Sequence, residues 1–182
     1  MGCKLVDLAT LDPCPESDGG IYETQIAECE DIADVIFDAD GCITNFVMVS
    51  LGNWYVYTMD DDDTAFYNQE GERTNNKHTV NQTSFFKFAG VSKTAISFAN
   101  GIKGCCCLVA VHFFNSGIAV VQGIDYNEDT GTWLVTKKKT KATVNILSDT
   151  GDNEDRVEVN LISTGRCFSA VTALTSEDLQ AL

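Results

Sequence analysis

Along most of this chain apolar and polar residues alternate with a period of two, the spacing that points successive side chains to opposite faces of a β-strand. Residues 21–27, after the turn-rich stretch 13–20, form the first such segment. Residues 32–37 and 42–50 flank Asp38-Ala39-Asp40-Gly41, a short acidic loop ending in glycine, and read as a hairpin. Residues 53–58 are aromatic and β-branched and give another strand by propensity. The adjacent carboxylates of residues 60–63 repel one another and predict a solvated loop. Residues 71–78 carry no core residue and are expected to form a long exposed loop, after which strand character resumes over 79–88. Residues 105–114 and 118–125 are two apolar strands about Asn115-Ser116-Gly117, the clearest hairpin in the chain. Residues 132–136, 142–147 and 156–163 add three more.

One segment has helical spacing. Ser92 is a suitable N-cap, Ile96, Ala99 and Ile102 form a narrow apolar stripe beside Phe98, and Gly104 follows Lys103 as a C-cap. A single helix at about 91–103 among roughly ten strands predicts a mainly β fold, a sandwich or barrel with one flanking helix. With 182 residues and neither an internal repeat nor a low-complexity linker, the chain reads as one domain. Residues 1–20 are expected to be an N-terminal arm and 171–182 a C-terminal tail, although Thr175-Ser176-Glu177-Asp178-Leu179 suits a short capped helix.

Charge is distributed unevenly along this pattern. Residues 1–72 hold seventeen Asp and Glu against Lys4 alone, a balance of −16; the rest holds ten acids and eleven bases, +1, for the formal −15. An acidic surface disfavours adhesion to bare nucleic acid or an anionic membrane, both polyanions. No run has the length and apolarity to span a bilayer, and the N-terminus lacks a basic start followed by an apolar stretch, so neither membrane insertion nor Sec-type secretion is expected. Met1-Gly2-Cys3 departs from the myristoylation pattern because Val6 stands where Ser or Thr is required.

The eight cysteines are Cys3, Cys14, Cys29, Cys42, Cys105, Cys106, Cys107 and Cys167. They contain no C-x-x-C pair, and His78 and His112 are the only histidines, so zinc-finger spacing is missing. Reduced thiols packing as small apolar groups are the expectation; one or two disulfides are compatible with the sequence, which does not say which cysteines would pair. A Cys106–His112 catalytic pair fails on reach, because six residues of strand span roughly 20 Å whereas nucleophile and base must lie about 3 Å apart. The aspartate-rich segments lack the order of ligands of a calcium-binding loop. Phosphate-loop, dinucleotide, zinc-protease and serine-hydrolase motifs do not occur. Trp54, Tyr55 and Tyr57 fit a core or an interface better than a sugar platform. The expectation is thus a binding or assembly protein with no catalytic residue, no metal and no cofactor.

Several motifs occur in a recognisable order: Gly19-Gly20-Ile21; Asp38-Ala39-Asp40-Gly41-Cys42-Ile43-Thr44; Trp54-Tyr55-Val56-Tyr57; and Asp63-Thr64-Ala65-Phe66. The helix at 92–103 follows, then Leu108-Val109-Ala110-Val111, Gly117-Ile118-Ala119-Val120-Val121-Gln122-Gly123 and Val157-Glu158-Val159-Asn160-Leu161. Over about residues 19–170 this order resembles the tail tube (major tail) proteins of tailed bacteriophages, closest to those of phages infecting Bacteroidetes-type bacteria. The resemblance implies a β-sandwich subunit that catalyses nothing, assembles in the host bacterial cytoplasm, and forms rings, usually hexamers, stacked into the tail tube of the virion. Its partners would be copies of itself and other tail proteins, with DNA passing through the lumen without specific binding. Related alternatives are a terminator, hub or head–tail ring protein and a head decoration protein; a carbohydrate-binding β-sandwich is a more distant one.

On this reading the acids have a role, because a conduit for a polyanion should not attract it. Glu23, Glu28, Asp34, Asp38 and Asp40 are the candidates to face the lumen or the seam between rings. Lys137, Lys138, Lys139 and Lys141, or Lys87, Lys93 and Lys103, are the candidate basic contact on the next ring. The segments 13–20 and 71–77 are the expected inter-ring arms.

Overall fold

The computed structural model describes residues 20–39, 41–59, 65–74, 77–104, 107–127, 132–135, 140–147, 155–165 and 169–182. The fold is mainly β. In chain order the elements are β1 (Ile21–Glu28), β2 (Ile32–Phe37), β3 (Ile43–Met48), β4 (Tyr55–Thr58), β5 (Ala65–Thr74), β6 (Lys77–Ala89) and α1 (Lys93–Gly104). There follow β7 (Leu108–Phe114), β8 (Ala119–Gln122), β9 (Ile124–Asn127), β10 (Thr132–Val135), β11 (Thr140–Leu147), β12 (Arg156–Gly165), β13 (Ala170–Thr172) and α2 (Ser176–Gln180). A seven-stranded sheet runs β2-β3-β13-β8-β7-β1-β4, a four-stranded sheet runs β11-β12-β6-β5, and β9 and β10 form a ribbon.

Two apolar clusters lie on opposite faces of the large sheet. One joins Ile26, Leu108 and Ala110 of that sheet to Phe86, Val157, Val159 and Leu161 of the small sheet, with Ile102 of α1 closing one end. This is the interior of a sandwich. The other gathers Val109, Val111 and Phe113 of β7 with Ile43 and Phe46 of β3, and Leu179 of α2 is buried in it. β12 shows how the alternation works: Val157, Val159, Leu161 and Ser163 are buried, while the residues between them reach the surface. Each large apolar side chain so buried contributes about 1.5–3 kcal/mol, and that sum sets the register of the strand.

Local signals hold where backbone geometry dictates them. The Asp38–Gly41 turn closes as expected, with Cys42 N–H donating to Asp38 Oδ1 at 2.9 Å and Gly41 at φ 87°. The β7–β8 turn closes through the Gly117 N–H to the Phe114 carbonyl, 2.9 Å. Ser92 Oγ accepts the Ala95 N–H at 3.0 Å and caps α1.

Five expectations are corrected. The buried face of α1 consists of Ala99 and Ile102 with Ala95 and Phe98 partly covered, while Ile96 is 42% exposed. Residues six apart on a helix lie about 120° from each other, so Ile96 and Ile102 do not share one narrow face. Residues 71–78 are mostly strand rather than loop: β5 and β6 stay in register out to Thr74↔Lys77. Backbone ladders do not require apolar side chains, and a strand polar on both faces shows no alternation. The segment 118–125 is not one strand, because Gly123 at φ 96° breaks it into β8 and β9. A Cβ there would lie 2.4 Å from the Leu108 carbonyl oxygen and 2.6 Å from Thr140 Oγ1, so only glycine fits. The C-terminal stretch is no loose tail, since β13 is inserted between β3 and β8 and α2 follows with a full Thr175–Asp178 capping box. Finally, Cys29 and Cys107 form a disulfide rather than remaining thiols. Each lies one residue beyond the paired ends of β1 and β7, and the antiparallel register Glu28↔Leu108 brings them face to face. The N-terminal arm 1–19 and the aspartates 60–63 lie outside the described residues.

Candidate functional site

The acids singled out from the sequence divide by position. Glu23 is buried within the subunit; its Oε1 accepts from Gln25 Nε2 at 2.8 Å and from Ser176 Oγ at 2.5 Å, beneath α2. A carboxylate held in this way serves the attachment of α2 and has no surface to present. Glu28 and Asp34 are exposed, as is Asp38 in the β2–β3 turn. Asp34 accepts the Val35 N–H at 2.8 Å. The turn from β1 to β2 adds exposed Glu30 and half-buried Asp31. Asp40 lies outside the described residues, as do Lys137, Lys138 and Lys139. Lys141 is exposed on β11, on the outer face of the small sheet opposite Ile162. Lys93 is exposed at the start of α1 and Lys87 is half-buried on β6.

The β5–β6 hairpin outruns its neighbour β12 among the described residues. Among the described residues β12 pairs with β6 as far as Val80↔Gly165, and β5 and β6 continue together for the pairs Glu72↔Thr79, Arg73↔His78 and Thr74↔Lys77. Three further residues of ribbon at about 3.3 Å each carry the β5–β6 ladder roughly 10 Å past the last described β6–β12 pair. The described surface of this tip is polar, with Gly71, Glu72 and Arg73 exposed.

A second feature, a polar layer inside the sandwich, went unrecognised in the sequence. His112 on β7 is fully buried, and Thr24 Oγ1 donates to its Nδ1 at 3.0 Å while its Nε2 donates to Gln122 Oε1 at 2.9 Å. Gln122 Oε1 also accepts from Ser84 Oγ at 2.8 Å, and Gln122 Nε2 donates to the carbonyls of Gln82 and Leu161, both at 3.1 Å. These bonds fit a neutral imidazole, and burial pushes its pKa down to about 4. The Tyr67 ring packs on His112 with centroids 5.0 Å apart, and its hydroxyl bonds to that of Ser169. Burial of that hydroxyl raises its pKa to about 12. Thr24, Gln122 and Ser84 are as buried as His112, so this arrangement ties the sheets together and offers no substrate a way in.

A groove of about 560 Å³ lies between α1 and β4. Two of the aromatic residues beside it are committed to packing: Trp54 meets Phe46 edge-on at 5.1 Å, and Tyr57 lies 4.5 Å from Phe98. Tyr55 alone is left largely exposed. Among the described residues no group of three His, Cys, Asp or Glu side chains is placed to hold a metal ion, and no helix is long and apolar enough to cross a membrane. No protein-family model, curated protein or solved structure matches the chain.

Proposed function

We propose that this chain is a structural subunit that assembles into stacked rings, forming a phage-type tail tube through which DNA passes. The observation that carries the reading is the β5–β6 arm, a paired, polar ribbon whose ladder continues three residue pairs beyond the last described pair of β6 with β12. Two-stranded ribbons are marginal when isolated, and contact with a neighbouring ring would support this one. The sandwich with one flanking helix agrees with the architecture that the sequence resemblance implies. Charge supports the same reading. Exposed Glu28, Asp34 and Asp38 form a surface that repels DNA, or meets the basic segment of the next ring, whereas buried Glu23 takes no part in either role.

Negative-stain electron microscopy of the concentrated protein is the direct test. Open-ended hollow tubes are expected. Single closed rings would point instead to a terminator, hub or head–tail ring component, and a protein that stays monomeric at all concentrations would refute assembly. Changing Lys137, Lys138, Lys139 and Lys141 together to Glu should abolish tubes while leaving the folded subunit intact, because charge would then repel across the seam.

A further inference from the structure

Cys29 and Cys107 stand where β1 and β7 leave off, and the sheet itself sets the space between them. The two strands run in antiparallel register through Ala27↔Val109 and Glu28↔Leu108. One more bond, from the Cys29 N–H to the Cys107 carbonyl at 3.2 Å, extends the ladder past the ends of both strands. A hydrogen-bonded antiparallel pair holds its Cα atoms about 5.5 Å apart. Cys29 and Cys107 lie at 5.5 Å, inside the span of about 4.4–6.8 Å that a disulfide requires. Backbone pairing therefore brings the two sulfurs together whether or not they are bonded. The surroundings suit both states. Each residue is 6% exposed, in the apolar cluster with Ala27, Ile32 and Val109, where a thiol packs as a small apolar group. β1 is paired on both sides, to β4 and to β7, and so holds its place without help from the bond.

We propose that the Cys29–Cys107 bond is a redox-operated clamp, closed within the finished fold by thiol–disulfide exchange and not a condition of folding. The co-reactant is a low-molecular-weight disulfide such as oxidised glutathione. One cysteine thiolate attacks it and releases one small thiol. The second cysteine then attacks the mixed disulfide at the protein sulfur and releases the other. Two electrons and two protons pass from the cysteine pair to the small disulfide, leaving one protein disulfide and two small thiols. Closure moves no strand, because the Cα spacing is already that of the bond. Its effect is kinetic: the ladder end that precedes the β1–β2 turn can no longer fray, and β1 and β7 part fully only once the bond is cut. Burial of both residues means that a reductant reaches the bond only when this end opens. The clamp belongs to a single subunit and does not depend on the tube reading.

The test starts from the full chain unfolded in urea with dithiothreitol and refolded with the reductant still present. The dithiol should regain the far-ultraviolet circular dichroism and tryptophan fluorescence of the oxidised protein. Once the reductant is removed, oxidised glutathione in the same denaturant-free buffer should restore the bond. Differential alkylation with tandem mass spectrometry locates it and separates Cys107 from its sequence neighbours Cys105 and Cys106. Unfolding in urea should be at least tenfold slower for the closed form than for the dithiol, and in Cys29→Ser the rate should not respond to oxidised glutathione. A reduced chain that does not regain the native spectra would overturn the proposal, because the bond would then be needed to fold. So would a bond that returns only when oxidation is carried out in urea, pairing of Cys29 with another cysteine, or equal unfolding rates with the bond open and closed. Should Cys29→Ser fail to fold, the measurements on the unaltered chain decide the matter.

Discussion

His112 is fully buried between Thr24 and Gln122, and desolvation holds its pKa at about 4 against an ordinary value of 6.5. The unfolded chain accepts a proton at pH values where the native chain does not, so acid favours unfolding. Its contribution to stability is fully present above the unfolded value near 6.5 and is lost progressively as pH falls towards 4. The complete loss is about 3 kcal/mol, because each pH unit separating the native and unfolded values is worth about 1.36 kcal/mol. Between pH 7 and pH 5 the linkage relation gives a loss of about 1.8 kcal/mol, before most carboxylates begin to titrate. Urea unfolding followed by the fluorescence of Trp54 and Trp133 would measure this slope. His112→Gln should start less stable, since it loses packing and the Thr24 bond, but its stability should fall by that much less over the same interval. Parallel pH profiles for the two proteins would refute the argument, whatever their absolute stabilities.

The Cys29–Cys107 disulfide closes a loop with a sequence separation of 78, and the chain-entropy relation assigns it about 4.5 kcal/mol. Cys29→Ala with Cys107→Ala should lower the urea midpoint accordingly, and reductant should then have little further effect. Gly123→Ala should destabilise by several kcal/mol or prevent folding, because its Cβ has no space beside Leu108 and Thr140, as a thermal melt would show. Leu51 is 93% exposed at φ 77°, so it gains little by burial and bears the strain of the left-handed region. Leu51→Gly should raise stability by up to about 1 kcal/mol by calorimetry.

What could be read from the sequence alone was local in origin. The Asp38–Gly41 and Asn115–Gly117 turns, the Ser92 cap and the alternation of β12 depend on residues within a few positions of each other, and all recur in the structure. From them a mainly β fold with a flanking helix follows. Tertiary structure decided the pairings between distant segments. β13 pairs with β3 and β8, Ser176 reaches back to Glu23, and Thr24 bonds to His112 across 88 positions. A glutamine or histidine carries no mark of which buried partner will satisfy it, because any donor brought within about 3 Å would serve. The same reasoning separates Glu23 from Glu28: identical in chemistry and five residues apart, the first is buried beneath α2 and the second is exposed at the end of β1, where the strand leaves the covered part of the sheet. The acidic bias of residues 1–72 is thus a property of the sequence, whereas which of those acids remain available to a partner is settled by the sheet and by the short helix packed over it.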